Sequence, residues 1–216
     1  MALTLTQQVE NNISIEANGI IPGLLRGQTT GQIKSLMVAC GNEMIALGEL
    51  FSVSGAMDQT ETVVFDGFLK NVHGIGMEMG SGVIQICGDT GNRVGLKMSG
   101  GKIRSLANVG NHVGTEMTGG VIVVEGNAGD SAGAALPGSK VGVNRGTILV
   151  RGDVGKGAGE SMRRGMLVVG GDGGDLLGWW MRAGTLVVLG KSGAHVGAEM
   201  KRGTIVLGGI EITGYA

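Results

Sequence analysis

Glycines at positions 76, 95, 114, 133, 159, 178 and 197 recur every 19 residues, except for one stride of 26. Around them the chain repeats Gly-x-x-Met-x-x-Gly-x-aliphatic-x-aliphatic, as in Gly114-Thr-Glu-Met117-Thr-Gly-Gly120-Val-Ile122-Val-Val124 and Gly197-Ala-Glu-Met200-Lys-Arg-Gly203-Thr-Ile205-Val-Leu207. A short, strict period means one supersecondary unit stacked many times, each copy burying its apolar face against the next. Counting from the second glycine of each unit, position +2 is Ile84, Ile103, Ile122, Ile148, Leu167, Leu186 and Ile205, and position +4 is aliphatic in every unit except at Ser105. Such period-two alternation marks a β-strand with one buried face. Nineteen residues leave no room for the helix of a βαβ crossover, so each strand must pair with its own copy in the next unit. The expected fold is mainly β, a parallel β-helix (solenoid) with a single strand per unit and about seven 19-residue turns, spanning roughly 29 Å at about 4.8 Å per turn.

Residues 66–216 form this Gly-rich body, and residues 1–65, which lack the repeat, read as a small mixed N-terminal cap. Within the cap, Thr29-x-x-Gln32 forms a capping box ahead of Ile33, Leu36, Met37 and Cys40 at helical spacing, with Gly41 placed as a stop, so a short amphipathic helix is expected over 30–40. Met44 to Val53 and Glu61 to Phe65 read as strands leading into the first unit.

Composition removes several alternatives. The 45 glycines lack a three-residue period and prolines number only 2, which excludes collagen. Seventeen basic against 18 acidic residues give no global field for nucleic acid or an anionic membrane. Two cysteines, Cys40 and Cys87, lie in unlike contexts without metal-ligand spacing, fitting a reducing, cytoplasmic setting. The N-terminus has no secretory leader pattern, and no apolar run approaches the ~20 residues of a membrane span, so a non-exported protein without membrane contact is expected.

Most apparent sites dissolve into the repeat. Met79, Met98, Met117, Met162, Met181 and Met200 share one position, with Leu136 in the remaining unit, and read as an adaptable core ladder rather than soft-metal ligands. Asp89, Asn108, Asn127, Asp153 and Asp172, followed by Lys191, read as structural corners. Gly155-Lys-Gly-Ala-Gly159 has no helix after it to cap a phosphate, and Gly190-Lys191-Ser192 lacks the upstream glycine of a P-loop, since Thr185 stands there. His112 and His195 occupy the same repeat position four units apart, about 19 Å by the stacking distance, and cannot share a metal. No nucleophile, general base, cofactor or metal site is expected in this chain.

The residues that break the pattern point outward. Position +3 should face solvent, yet it becomes Val123, Leu149, Val168, Val187 and Val206, an apolar stripe that wants a cover. Trp179 and Trp180 stand where other units carry small or polar residues, and the extra residues of the long stride, including Pro137, Lys140 and Arg145, must bulge from the stack. Arg163, Arg182 and Lys201 follow the core methionine in three successive units and form a basic ladder, either a solvated face or a dock for an acidic partner or an anionic cofactor tail.

The runs Gly126-Asn-Ala-Gly129-Asp-Ser-Ala-Gly133 and Gly152-Asp-Val-Gly155-Lys-Gly-Ala-Gly159 resemble the repeat of the glutamate synthase C-terminal domain, a right-handed β-helix. Met162-Arg-Arg-Gly-Met-Leu-Val-Val-Gly-Gly-Asp172, Ala183-Gly-Thr-Leu-Val-Val-Leu-Gly190 and Ile45-Ala-Leu-Gly-Glu-Leu-Phe51 more closely resemble the C subunit of formylmethanofuran dehydrogenase and of the bacterial formyltransferase/hydrolase complex. That resemblance implies a right-handed winding and a non-catalytic scaffold role in one-carbon metabolism linked to tetrahydromethanopterin and to methanofuran or methylofuran. It implies an amidohydrolase-like A subunit, a B subunit and a formyltransferase D subunit as partners. Zinc or other metals and the methanofuran-type cofactor then belong to those partners. An archaeal-type complex reducing carbon dioxide, or a glutamate synthase-like structural domain, are the alternative readings.

Overall fold

A computed structural model describes residues 2–209 apart from 9, 11 and 58. The elements, in chain order, are β1 (Leu3–Gln7), β2 (Ile15–Glu16), α1 (Pro22–Leu25), α2 (Thr30–Lys34), β3 (Met37–Cys40), β4 (Glu43–Ala46), α3 (Leu47–Leu50), β5 (Ser52–Ser54), β6 (Thr62–Gly67) and β7 (Val72–His73). One strand per repeat follows: β8 (Val83–Ile86), β9 (Lys102–Ser105), β10 (Val121–Val124), β11 (Thr147–Val150), β12 (Met166–Val169), β13 (Thr185–Val188) and β14 (Thr204–Leu207). The protein is mainly β, and its largest feature is a ten-stranded sheet in the order β14-β13-β12-β11-β10-β9-β8-β6-β1-β5 that does not close into a barrel. Every pair in it is parallel except the edge pair β1–β5.

The repeat strands stack in strict register. Ile84, Ile103, Ile122, Ile148, Leu167 and Leu186 lie opposite one another in successive strands, and all six are fully buried. The second buried row runs Ile86, Ser105, Val124, Val150, Val169 and Val188, in which the hydroxyl of Ser105 is satisfied by donating to the Ala107 carbonyl at 3.1 Å. The stacking continues outside the sheet. From Gly95 onward the first glycine of each unit donates its N–H to the unit before, as from Gly95 to Ile75 (2.9 Å), Gly114 to Val94 (2.8 Å) and Gly178 to Ala158 (2.8 Å). A further line of single-residue bridges links Thr90, Val109, Ala128, Val154, Gly173 and Ser192. Glycine is required at these first positions by geometry: Gly114 has φ +61°, and a Cβ there would run into the Ile148 side chain.

The methionine ladder forms as expected, with Met79, Met98, Met117, Met162 and Met181 all fully buried and Met200, in the last unit, half-buried. Its remaining member is not Leu136, which lies only half-buried in the long stride. Val143 takes the place: it is fully buried, Asn144 donates to the Met117 carbonyl (2.8 Å) and Arg163 to the Val143 carbonyl (2.9 Å), which is the bonding of the methionine position in other units. The extra residues therefore enter before the core position, and counting from the first glycine puts the column on the wrong residue.

The N-terminal segment corrects two expectations. The capping box is present, with Thr29 Oγ1 accepting from the Gln32 N–H (3.3 Å) and Gln32 Oε1 from the Thr29 N–H (2.8 Å). The helix nevertheless ends at Lys34 rather than continuing to residue 40, because Met37–Cys40 is strand β3, paired antiparallel with both β2 and β4. Gly41, at φ +59°, lies in the two-residue hairpin between β3 and β4, not at a helix end. The strand expected from Met44 to Val53 is interrupted by α3, which buries Leu47 and delivers Phe51 into the core one turn later. The strand expected at Glu61 to Phe65 is β6, which straddles residue 65. Beside β6, β1 joins the same sheet, with Leu3 opposite Val63 and Gln7 opposite Gly67. The sheet's N-terminal end is closed by β5, with α2 and α3 against it, whereas at the other end Ile205 and Leu207 of β14 remain half-buried.

Candidate docking surfaces

The corner columns are held by side chains. Asp89 Oδ1 accepts the Asn108 N–H (3.0 Å), Asn108 Oδ1 that of Asn127 (2.8 Å), Asn127 that of Asp153 (2.8 Å), Asp153 that of Asp172 (2.7 Å) and Asp172 that of Lys191 (2.7 Å). A second ladder, overlooked in the sequence, begins at His73. Its Nδ1 accepts the Asn92 N–H (2.9 Å), after which Asn92 accepts from Asn111 and Asn111 from Asp130, each at 2.8 Å, and Asp130 from Lys156 at 2.9 Å. Its signal was the same 19-residue period, hidden because a histidine starts the column. His73 therefore needs a bare, neutral Nδ1. Burial lowers its pKa, opposed by Glu16 and assisted by Arg93, which pair with each other at 2.6 Å beside it.

The expected apolar stripe lies on the outer face of the sheet. Val123, Leu149, Val168, Val187 and Val206 are direct cross-strand neighbours in β10–β14. The first four are half-buried by packing along the row, and Val206, on the last strand, is 46% exposed. Val121, Met166 and Leu189 widen the face. Near its early border Glu125 bridges Arg104 (2.8 Å) and Arg151 (2.5 Å), so the charges there are mutually satisfied.

The remaining predicted residues come together elsewhere. Pro137 and Lys140 of the long stride, Trp180, Arg163, Arg182 and Lys201 line a chain of adjoining clefts along the corner that precedes the strands. The central cleft, about 260 Å³, is bounded by Ser139, Lys140, Ser161, Trp180, Arg182, Glu199 and Lys201. Trp180 holds a left-handed backbone (φ +55°), stacks on Trp179 at 4.2 Å between ring centroids, and donates its Nε1–H to Glu199 at 3.0 Å. Glu199 thereby fixes the ring, which remains 44% exposed toward the cleft. Trp179 is half-buried behind it, and Arg145 is exposed but lines none of these clefts.

Beyond Trp180 the groove changes character. Toward the early repeats it meets His112, Ser131, Leu136 and Glu160. Burial pushes the Glu160 carboxyl pKa up, while burial, with help from Arg93 against Asp130, pushes the His112 pKa down. Both shifts favour the neutral form. Toward the last repeats it opens onto Arg163, Arg164, Arg182, Lys201 and Arg202, all exposed, and among the described residues none of these five forms an ion pair. Glu160, Ser161 and Glu199 went unassigned in the sequence although Glu160 shares the column of Trp179, and Ser161 and Glu199 that of Trp180.

No helix of the described residues is long and apolar enough to cross a membrane.

No family model matches the chain. Its sequence is similar to the C subunit of the tungsten-containing formylmethanofuran dehydrogenase 2 of Methanothermobacter marburgensis, 33% identical over 90 residues, covering 40% of this chain and 33% of that one. A second relative, the C subunit of the molybdenum-containing formylmethanofuran dehydrogenase 1 of the same organism, is 37% identical over 91 residues, 42% of this chain and 23% of that one. These curated matches span a third or less of the relatives' length. The fold is similar to a chain of the formyltransferase/hydrolase complex (FhcABCD) of Methylorubrum extorquens, solved with methylofuran, with TM-score 0.82, 31% identity, and coverage of 95% of this chain and 77% of that one. A likeness that holds at this identity over nearly the whole fold, together with the two dehydrogenase relatives, places the chain in the C-subunit family of formylmethanofuran dehydrogenases and the formyltransferase/hydrolase complex.

Proposed function

We propose that this chain is a non-catalytic scaffold within a formyltransferase/hydrolase complex in one-carbon metabolism, acting with an amidohydrolase-like A subunit, a B subunit and a formyltransferase D subunit. The observation that carries this reading is the match to a chain of the solved complex over almost the full length, against partial matches to the dehydrogenase subunits. The side chains support it too: the asparagine and aspartate columns are engaged in main-chain bonds, and the methionines fill the core. Metals and the methanofuran-type cofactor belong, in this reading, to the partner subunits, and the complex works in the cytoplasm.

We infer further that the stack winds as a right-handed parallel β-helix of about seven turns, as parallel crossovers overwhelmingly do, with residues 1–65 as its cap. The constant parallel register of β8–β14 supports that winding. Purification of the tagged full chain from its host, followed by native mass spectrometry, is expected to recover an assembly containing an amidohydrolase-like subunit. A partner-free monomer would overturn the scaffold reading, and assembly with a tungsten- or molybdenum-bearing partner would move it to the carbon dioxide-reducing type.

A further inference from the structure

Six of the chain's 17 basic residues, Arg145, Arg163, Arg164, Arg182, Lys201 and Arg202, fall in the two columns that follow the core methionine position. The earlier units carry Gly80-Ser81, Ser99-Gly100 and Thr118-Gly119 there. The charge is therefore local, in a protein whose net charge is −1. A column of like charges repeated at about 4.8 Å is self-repelling. The acid that would relieve it is available in the fold, since Glu199 lines the same cleft as Arg182 and Lys201. Glu199 instead accepts from Trp180, and the basic column is left without a carboxylate partner among the described residues.

Resting on the docking role proposed above, we propose that this groove receives an extended acidic segment of a partner protein, with an apolar side chain against Trp180 and carboxylates on Arg163, Arg182 and Lys201. Arginine forks suit bidentate carboxylate recognition, and an exposed indole next to Leu136 and Pro137 suits an apolar anchor. The groove is also asymmetric in charge. Around Trp180, Glu160 and Glu199 stand among Lys140, Arg182 and Lys201, whereas the cleft beyond, lined by Arg163, Arg164, Arg182, Lys201 and Arg202, holds no acid. A nucleic acid strand, charged at every step, would set phosphates against those carboxylates, whereas a peptide can place its acids only where the cations are.

Fluorescence anisotropy on the full chain tests this with a labelled peptide of about ten residues, rich in Asp and Glu around one leucine. A lysine-for-acid version and single-stranded DNA of equal length serve as comparisons. The acidic peptide is expected to bind in preference to both, to perturb tryptophan emission through Trp180, and to weaken about tenfold or more in Arg163→Glu/Arg182→Glu/Lys201→Glu. All three positions are exposed, and should the triple reversal fail to fold, Arg182→Gln and Lys201→Gln ask the same question more gently. Equal binding of acidic and basic peptides, or affinity unchanged by the substitutions, overturns the proposal, and tighter binding of DNA reassigns the groove to nucleic acid. A wild-type chain that recovers its partners from the host while the reversed variant does so equally well sinks the groove alone. A wild-type chain that recovers none sinks the scaffold reading instead.

Discussion

His73 shows how one side chain couples strand β7 to the unit that follows it. Its Nδ1 must be unprotonated to accept from Asn92, and burial already lowers its pKa below the ordinary value of about 6.5. Because the folded pKa lies below the unfolded one, the contribution is complete above about pH 6.5 and is lost as the pH falls from there through the folded value. His112 shifts in the same direction and adds to the slope. His73→Asn places in this column the residue its next two members use, keeping an acceptor and removing the titration. Urea unfolding at about pH 7.5 and about pH 5.5 is expected to show a smaller loss of stability in the variant than in the wild type. An equal loss in both would mean that the His73 bond does not control the acid limb. Core residues were readable from the sequence because each is a sample of a column, and seven samples average out local noise. The role of His73 was not, because an imidazole standing in for an amide leaves no compositional trace.

At the scale of elements, the long stride is an addition to a unit rather than a damaged unit. Deleting residues 136–142 would restore the 19-residue spacing and join Ala135 to Val143, which already fills the core position. Ala135 would then have to adopt the left-handed backbone that Glu116 (φ +55°) and Ser161 (φ +54°) hold in neighbouring units, at a cost of about 1–2 kcal/mol. The shortened chain should fold, lose about that much stability in chemical denaturation, and recover it on adding Ala135→Gly. Failure to fold would show that the loop braces the stack. The repeat strands were legible because alternation and register coincide in every copy. The segment over 30–40 was not, since the apolar residues of a four-residue strand and of one helical turn fit the same few positions, and pairing with β2 and β4 decided between them.

Over the whole molecule, the two ends of the large sheet differ. One is covered by β5 and the short helices, and the other is strand β14, which no other described strand or helix covers and whose inward residues are only half-buried. Hydrogen exchange should therefore find the β14 amides at least about tenfold less protected than those of β9–β12 in the isolated chain. Uniform protection in the isolated chain would mean that the end is not open in solution. The docking surfaces were legible as departures from the columns, but their grouping was not: sequence gives the height of a residue in the stack, and only the fold gives its bearing around it. The asparagine and aspartate ladders carry one more consequence. Each acceptor closes the corner of the unit after its own, so the chain has a built-in grammar of succession. A substitution at Asn108 keeps its own N–H bond to Asp89, loses the Nδ2 bond to the same carboxylate (2.9 Å), and orphans the N–H of Asn127. The main-chain fault thus falls one unit beyond the substitution, on the side toward β14.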